Sequence, residues 1–286
     1  MRVARLEDLP EILRTEGQRP GTFRSRHLAE GEPGTPGNFS LVMGTNTDGR
    51  TSPRHRHNFE QIRYQIEGSE DYDRDGKLEK GMVGYYPEGT YYGPQTGGGN
   101  TTMLLLQFGG PSGAGYMSRA ALKAGYEEMK KLGTFRDGIF RPHADQAGLR
   151  NRDGYEAVWE HVNGRPISYA KPRYERPVLM HPGNFDWEPL EGVTGGAIKT
   201  LGVFTEKRTE IHFVRLEPGA RWRIRGRRLC FVIEGSGRVA GENYLRHTTV
   251  HSESGEQAEV TATSPTEILD IGLPDFGTVR SAARAA

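Results

Sequence analysis

The sequence predicts an all-β protein with two β domains in tandem, joined by a short helical connector. Short apolar or β-branched runs, separated by turn signals, make up much of the chain. The 39 Gly and 17 Pro among 286 residues fit a chain with many tight turns. A helical segment interrupts the strands near the middle, so the order is strands, helices, strands.

Each predicted strand is a short run rich in apolar or β-branched residues, and turn sequences such as Asn-Thr-Asp-Gly and Pro-Glu-Gly bound these runs. They are residues 39–44, 60–66, 82–86, 101–108, 211–216 and 229–234. Runs of this length and spacing are typical of an antiparallel sandwich or barrel.

The connector is predicted from helical periodicity over residues 117–133. Its apolar residues recur every three or four positions: Leu122, Tyr126, Met129 and Leu132. Ser118 can cap the N-terminus of this helix, and Gly133 can end it. A second, weaker helical stretch lies near residues 154–161.

Charge and composition exclude several classes of protein. The 38 Lys and Arg residues nearly balance the 37 Asp and Glu residues, which argues against a general affinity for nucleic acid. No run is long enough to span a bilayer, and acids stand near the N-terminus where a signal peptide needs an apolar core. We therefore expect a cytoplasmic protein with no nucleic-acid or membrane partner. The single cysteine, Cys230, excludes a disulfide framework and a cysteine-based zinc site.

The candidate site lies in the segment from Gly49 to Gly68. On an extended strand, side chains two apart share a face, so His55 and His57 are predicted to point the same way. Gln61 and Arg63 have the same parity as this pair, whereas the neighbouring Glu60 has the opposite parity unless a bulge intervenes. Two adjacent imidazoles can provide half of a transition-metal site.

Two motifs in this part of the chain resemble those of the cupin superfamily. The first cupin motif has the form G-x5-H-x-H-x3-E-x6-G. Gly49, His55, His57 and Gly68 stand at its fixed positions, and Gln61 stands where the family has Glu.

The second cupin motif has the form G-x5-P-x-G-x2-H. Gly81, Pro87 and Gly89 match it, and Tyr92 stands where the family has its third His. The resemblance implies tandem double-stranded β-helix barrels, also called jelly rolls, and it covers residues 35–110 and 200–275.

The resemblance also implies a divalent transition metal, either Fe, Mn, Ni or Zn, with His55, His57 and Gln61 as its expected ligands. Tyr92 and Arg63 are the candidate catalytic residues: Tyr92 as an acid/base or an orienting group, and Arg63 as a contact for an anionic substrate. Gln61 offers a neutral oxygen and a tyrosine ligates well only as phenolate, so the site has few anionic ligands. The alternative is a pair of histidines hydrogen-bonded inside an empty or small-molecule-filled barrel.

The second half resembles a cupin barrel without metal ligands. The segments 215–220 and 231–237 are similar to the start and end of a cupin motif, but no histidine lies between them. The predicted organisation is an N-terminal arm and first barrel over residues 1–113, a helical connector over 114–172, and a degenerate second barrel over 173–286.

The expected function is that of a metal-dependent cupin enzyme acting on a small organic molecule. A dioxygenase is the first reaction expected, and isomerase, lyase or decarboxylase chemistry fits the same residues. The alternative is a non-catalytic bicupin that binds a small ligand or serves a structural role. A homo-oligomer is expected, because barrel edges in such proteins are often paired between subunits.

Overall fold

The computed structural model describes residues 1–15, 17, 21–47, 51–74, 76–96 and 99–276. Within these ranges strands dominate, and the α-helices are α1 (Arg119–Met129) and α2 (Gly154–Asn163), so the predicted all-β class is confirmed. Short 3-10 helices occupy Leu6–Asp8 and Pro182–Asn184. None of the described helices has the length and apolar character that a membrane crossing requires.

The strands up to the end of the connector are β1 (Arg2–Ala4), β2 (Ile12–Arg14), β3 (Phe23–Glu30), β4 (Phe39–Asn46), β5 (Thr51–Ser52), β6 (Glu60–Glu67), β7 (Ser69–Asp73), β8 (Gly76–Glu79), β9 (Val83–Tyr86), β10 (Gln95–Thr96), β11 (Thr101–Phe108), β12 (Gly133–Arg136), β13 (Ile139–Pro142), β14 (Arg152–Asp153) and β15 (Val178–Met180). The remaining strands are β16 (Glu188–Pro189), β17 (Gly196–Val203), β18 (Glu210–Leu216), β19 (Arg221–Arg225), β20 (Arg228–Glu234), β21 (Gly237–Val239), β22 (Glu242–Tyr244), β23 (Thr249–Ser252), β24 (Gln257–Ala262) and β25 (Thr266–Gly272). All six strands predicted from the sequence are present, as β4, β6, β9, β11, β18 and β20.

The first connector helix begins where the sequence predicts but ends earlier. The Ser118 hydroxyl accepts a hydrogen bond from the backbone N–H of Ala121 at 3.2 Å, so the predicted N-cap is confirmed. The helix stops at Met129, and Gly133 instead opens β12, where it pairs with Pro142. A Cβ on Gly133 would lie 2.4 Å from the Arg141 carbonyl oxygen, so the close approach of the two strands requires glycine there.

Residue contacts divide the chain into two compact units. One unit runs from Ala4 to Asp186, and the other joins Met1–Val3 to the residues from Trp187 onward. Both connector helices therefore belong to the unit of the first barrel, as does β15, which pairs with β9. The domain limits predicted after residues 113 and 172 stay predictions.

The two units repeat the same sheet. In the first unit the large sheet has the strand order β15-β9-β6-β11-β4-β3-β2, and in the second the order is β1-β23-β20-β25-β18-β17-β16. Even an irregularity recurs: the register shifts between Thr102 and Met103 opposite the end of β6, and between Val232 and Glu234 at the end of β20. Matching strand order and matching bulges indicate two copies of one β architecture.

Each unit has its own apolar core. The core of the second unit is aliphatic and includes Cys230, which is 1% exposed, as well as Val214, Ile224, Val232 and Ile268. In the first unit an aromatic cluster joins the connector to the barrel through Phe59, Tyr116, Tyr155 and Trp159. The connector is thus packed onto the first barrel at the segment that carries the two predicted metal-binding histidines.

Two glycines of the second motif offer a matched test of this packing. Gly81 and Gly89 both have positive φ, at 84° and 76°. A Cβ on Gly81 would meet nothing within 4 Å, whereas a Cβ on Gly89 would lie 2.1 Å from the Ala170 carbonyl oxygen. We expect Gly81→Ala to cost the backbone strain alone, about 1–2 kcal/mol. Gly89→Ala should cost clearly more in urea unfolding, because the connector backbone must also move; equal losses would contradict the described contact.

Candidate functional site

The two motif segments lie side by side because their backbones pair. His55 N–H donates to the Tyr92 carbonyl at 3.0 Å, and Tyr92 N–H donates to the His55 carbonyl at the same distance. Gly89 N–H donates to the His57 carbonyl at 2.8 Å. This antiparallel bridge places the Tyr92 ring 4.5 Å from the His55 ring, centroid to centroid. Gly49, the first residue of the first motif, lies outside the described residues.

From residue 55 to residue 63, side chains alternate between two faces of the chain, and every second one lines the same cavity. Its wall includes His55, His57, Phe59, Gln61 and Arg63, as the parity of the sequence predicts. The residue of opposite parity, Glu60, accepts a hydrogen bond from the Tyr85 hydroxyl at 2.6 Å. The structure therefore brings all five sequence-predicted site residues together, since Tyr92 lines the same cavity.

A chain of hydrogen bonds connects four of these residues. His55 Nδ1 lies 2.6 Å from the Pro53 carbonyl oxygen; because a carbonyl only accepts, Nδ1 carries a proton, and in the neutral imidazole Nε2 is then the acceptor. The Tyr92 hydroxyl lies 3.1 Å from that Nε2, so it donates to His55. The same hydroxyl accepts from the Gln61 amide nitrogen at 2.7 Å.

Arg63 completes the chain as a buried cation. Its Nε and Nη2 donate to the Gln61 amide oxygen at 3.3 and 3.1 Å, and Nη2 also lies 3.5 Å from the Tyr92 hydroxyl. Its guanidinium lies over the Tyr86 ring, 4.4 Å from the centroid, and Nη1 is 3.8 Å from a Glu70 carboxylate oxygen. Burial alone would lower the pKa of Arg63, but Tyr86, Tyr92 and Glu70 together raise it above its usual value, so the group stays charged.

The cavity has a volume of about 210 Å³, which suits a small organic molecule. Its wall also contains Arg14 and Arg119 and the aromatic rings of Phe23, Tyr116 and Tyr155. Among the described residues that line it there is no Asp or Glu. The charged part of the lining is therefore basic, and the rest combines aromatic, aliphatic and neutral polar side chains.

Several wall residues are absent from the sequence-based prediction. Arg119 and Leu122 come from α1, Tyr155 comes from α2, and Arg14 and His27 come from the N-terminal strands. The helical periodicity of the connector signals an apolar face, but it does not say what that face covers. Only the packing of the connector and of the N-terminal strands assigns these residues to the cavity.

The donor set around His55 and His57 does not fit a divalent metal ion. Across the part of the chain that the structure describes, no group of three or more His, Cys, Asp or Glu side chains could hold one. Both ends of the Gln61 amide are engaged, by Tyr92 and by Arg63, and the adjacent guanidinium would repel a dication. The assignment of His55, His57 and Gln61 as ligands stays a prediction.

The second barrel has a charged residue at the position that corresponds to Gln61. Arg228 of β20 precedes the bulge of its strand by as many residues as Gln61 of β6 precedes its own bulge. Arg228 binds both oxygens of Asp270 at 2.7 and 2.6 Å and donates to Glu210 at 3.1 Å. Its charge is thus matched by two carboxylates of its own barrel.

Comparisons with known proteins support the fold. No protein-family model matches the chain, and no curated protein matches it either. A candidate dioxygenase from Nostoc punctiforme has a similar structure, with a TM-score of 0.61, 12% identity, and coverage of 98% of this chain and 84% of that one. A variant of Bacillus subtilis oxalate decarboxylase is similar at a TM-score of 0.54 and 16% identity, covering 96% and 78% of the two chains.

A third similar structure is that of the protein GK1651 from Geobacillus kaustophilus, with a TM-score of 0.50 and 15% identity over 96% of this chain and 95% of that one. Another structure of the oxalate decarboxylase, at a TM-score of 0.54, 16% identity and coverage of 97% and 78%, is described with Mn(II) centres. With these neighbours and the repeated sheet, the chain has the bicupin fold, two tandem cupin barrels, as the sequence predicts. At such low identity the likeness extends to the fold and not to the chemistry.

His27 on the cavity wall makes the stability of the folded protein depend on pH. Burial, followed by the charge of Arg119, lowers the pKa of His27 to about 4 from its usual 6.5, against the opposing effect of Glu30. Between these two values the unfolded chain binds a proton that the folded chain does not, so stability falls as pH drops from 6.5 to 4. We expect His27→Gln to lose less stability than the wild type between pH 7 and pH 5 in urea unfolding. His143→Gln, at an exposed position, should retain the wild-type pH dependence.

Proposed function

We propose that this protein is a cupin enzyme that acts on a small organic molecule by proton transfer in the cavity of its first barrel. The observation that carries the proposal is the hydrogen-bonded chain from His55 through Tyr92 and Gln61 to Arg63, which lines that cavity. A buried hydrogen-bonded chain with a proton donor and a proton acceptor, on the wall of a ligand-sized cavity, supports general acid–base chemistry.

The roles follow from the direction of each hydrogen bond. The proton on His55 Nδ1 is held by the Pro53 carbonyl, which leaves Nε2 able to take the hydroxyl proton of Tyr92. Gln61 and Arg63 both donate toward the Tyr92 oxygen and stabilise negative charge that develops there. Tyr92 is therefore the proposed acid/base group, with His55 as its proton acceptor.

A site built for proton transfer suits an isomerase, a lyase or a decarboxylase better than a dioxygenase. A metal-dependent dioxygenase is the first expectation from the sequence, and the candidate dioxygenase from Nostoc punctiforme has a similar fold. It would require Gln61 and Tyr92 to leave their present hydrogen bonds before a metal could bind. The arrangement as it stands favours the proton-transfer reactions.

The second candidate is a non-catalytic bicupin that binds a small ligand. It is supported by the state of Gln61, which supplies no anionic ligand and whose amide is already held by Tyr92 and Arg63. If the first barrel only binds, its hydrogen-bonded chain fixes the wall of a binding pocket.

A conversion assay separates the two candidates. The purified protein is incubated with a small-molecule extract of the cells that express it, and changes in concentration are followed by mass spectrometry. We expect at least one compound to be consumed by the wild type and not by Tyr92→Phe, since that change removes the proton that is transferred. Tyr91→Phe is the matched control, because Tyr91 is 41% exposed and does not line the cavity.

Two results would argue against the enzyme. A compound that is retained by the protein but never converted would favour the binding candidate. Conversion that proceeds in Tyr92→Phe at the wild-type rate would remove Tyr92 from the chemistry.

A further inference from the structure

We propose that the guanidinium of Arg63 is the resident cation of the first barrel, standing in for a metal, and that the cavity recognises a small aromatic carboxylate through it. This inference rests on the proposed function, because it names the substrate class of the same cavity. The guanidinium donates to the Gln61 oxygen and approaches the Tyr92 hydroxyl, the two groups that replace the expected anionic and third-histidine ligands.

The distribution of charge around the cavity supports an anionic ligand. Arg63 and Arg119 line the cavity, whereas their carboxylate partners, Glu70 and Glu30, are not part of its wall. The partner of Arg63 is also a distant one, since the closest nitrogen–oxygen separation is 3.8 Å and that Glu70 oxygen makes no hydrogen bond. The wall thus carries arginines and no carboxylate among its described residues, and Arg63 is less closely paired than Arg119, which lies 2.7 Å from Glu30.

In the second barrel, the charge of an arginine is matched by carboxylates of the protein itself. Arg228 holds Asp270 through two short hydrogen bonds and Glu210 through a third. Arg63 has no such bidentate partner among the described residues, and its hydrogen bonds go to neutral groups. A ligand carboxylate in the first barrel would supply the negative charge that Asp270 supplies in the second.

The rest of the wall favours an aromatic body for this ligand. Phe59 stacks on His57 with centroids 4.4 Å apart, and it meets Tyr116 and Tyr155 edge to face at 5.0 and 5.4 Å. These rings all line the cavity, and an aromatic ligand could pack against them by the same stacked and edge-to-face contacts. A single aromatic ring with one carboxylate matches both the size and the chemistry of the space.

The test compares benzoate with its neutral counterpart, benzamide, by isothermal titration calorimetry of the full-length protein. We expect benzoate to bind at least about tenfold more tightly than benzamide, because only benzoate carries the charge that Arg63 recognises. Arg63→Gln combined with Glu70→Gln removes the buried ion pair without leaving an unpaired charge, and it should weaken benzoate binding by about tenfold or more. Arg223→Gln, at an exposed site in the second unit, is the control for net charge and should bind benzoate as the wild type does.

A parallel titration with Zn²⁺ and Mn²⁺ tests the resident-cation part directly, and we expect the wild type to take up less than one equivalent of either. Uptake of a full equivalent that is lost in His55→Ala with His57→Ala would overturn it.

Three results would overturn the carboxylate assignment: equal binding of benzoate and benzamide, no binding of either, or unchanged benzoate binding in Arg63→Gln with Glu70→Gln. Folding of the double variant is checked by circular dichroism, and Arg63→Lys, which keeps the charge, should retain part of the affinity. Failure of the conversion assay with benzoate still bound through Arg63 would reject the enzyme and keep this inference.

Discussion

The candidate site depends on the antiparallel bridge between His55 and Tyr92, in which each backbone N–H donates to the carbonyl of the other residue. The bridge fixes which face of the first motif meets which face of the second. Once the two segments are paired, alternation along β6 places Gln61 and Arg63 on the same wall as the histidines. Hydrogen bonding of side chains then follows from positions that the backbone has already set.

A buried charge has to be matched, and the two barrels match it in different ways. Removing an arginine from water is costly unless hydrogen bonds and opposite charge compensate. The second barrel compensates Arg228 with Asp270 and Glu210. The first barrel gives Arg63 neutral acceptors, an aromatic ring and a more distant carboxylate. The charge of Arg63, on the wall of the cavity, is therefore less fully matched than the charge of Arg228.

The same contrast separates fold from chemistry in this protein. The repeated strand order and the repeated bulge show that both halves keep the bicupin architecture. Gln61 and Tyr92 stand where the cupin motifs lead one to expect Glu and His, and in the structure this amide and this phenol bind each other. An architecture of strands and turns tolerates such replacements because its stability comes from the apolar faces of the sheets, which are retained in both units.

The sequence by itself determined six of the strands, the all-β class and the common face of His55, His57, Gln61 and Arg63, because strand periodicity is a local property. It also located both connector helices and the Ser118 cap. The tertiary structure alone decided that Gly133 opens a strand, that Tyr155 and Arg119 close the cavity, and that Gln61 binds Tyr92 and Arg63 in its present geometry. These outcomes depend on contacts between residues far apart in the chain, and spacing along a sequence carries no information about such distances.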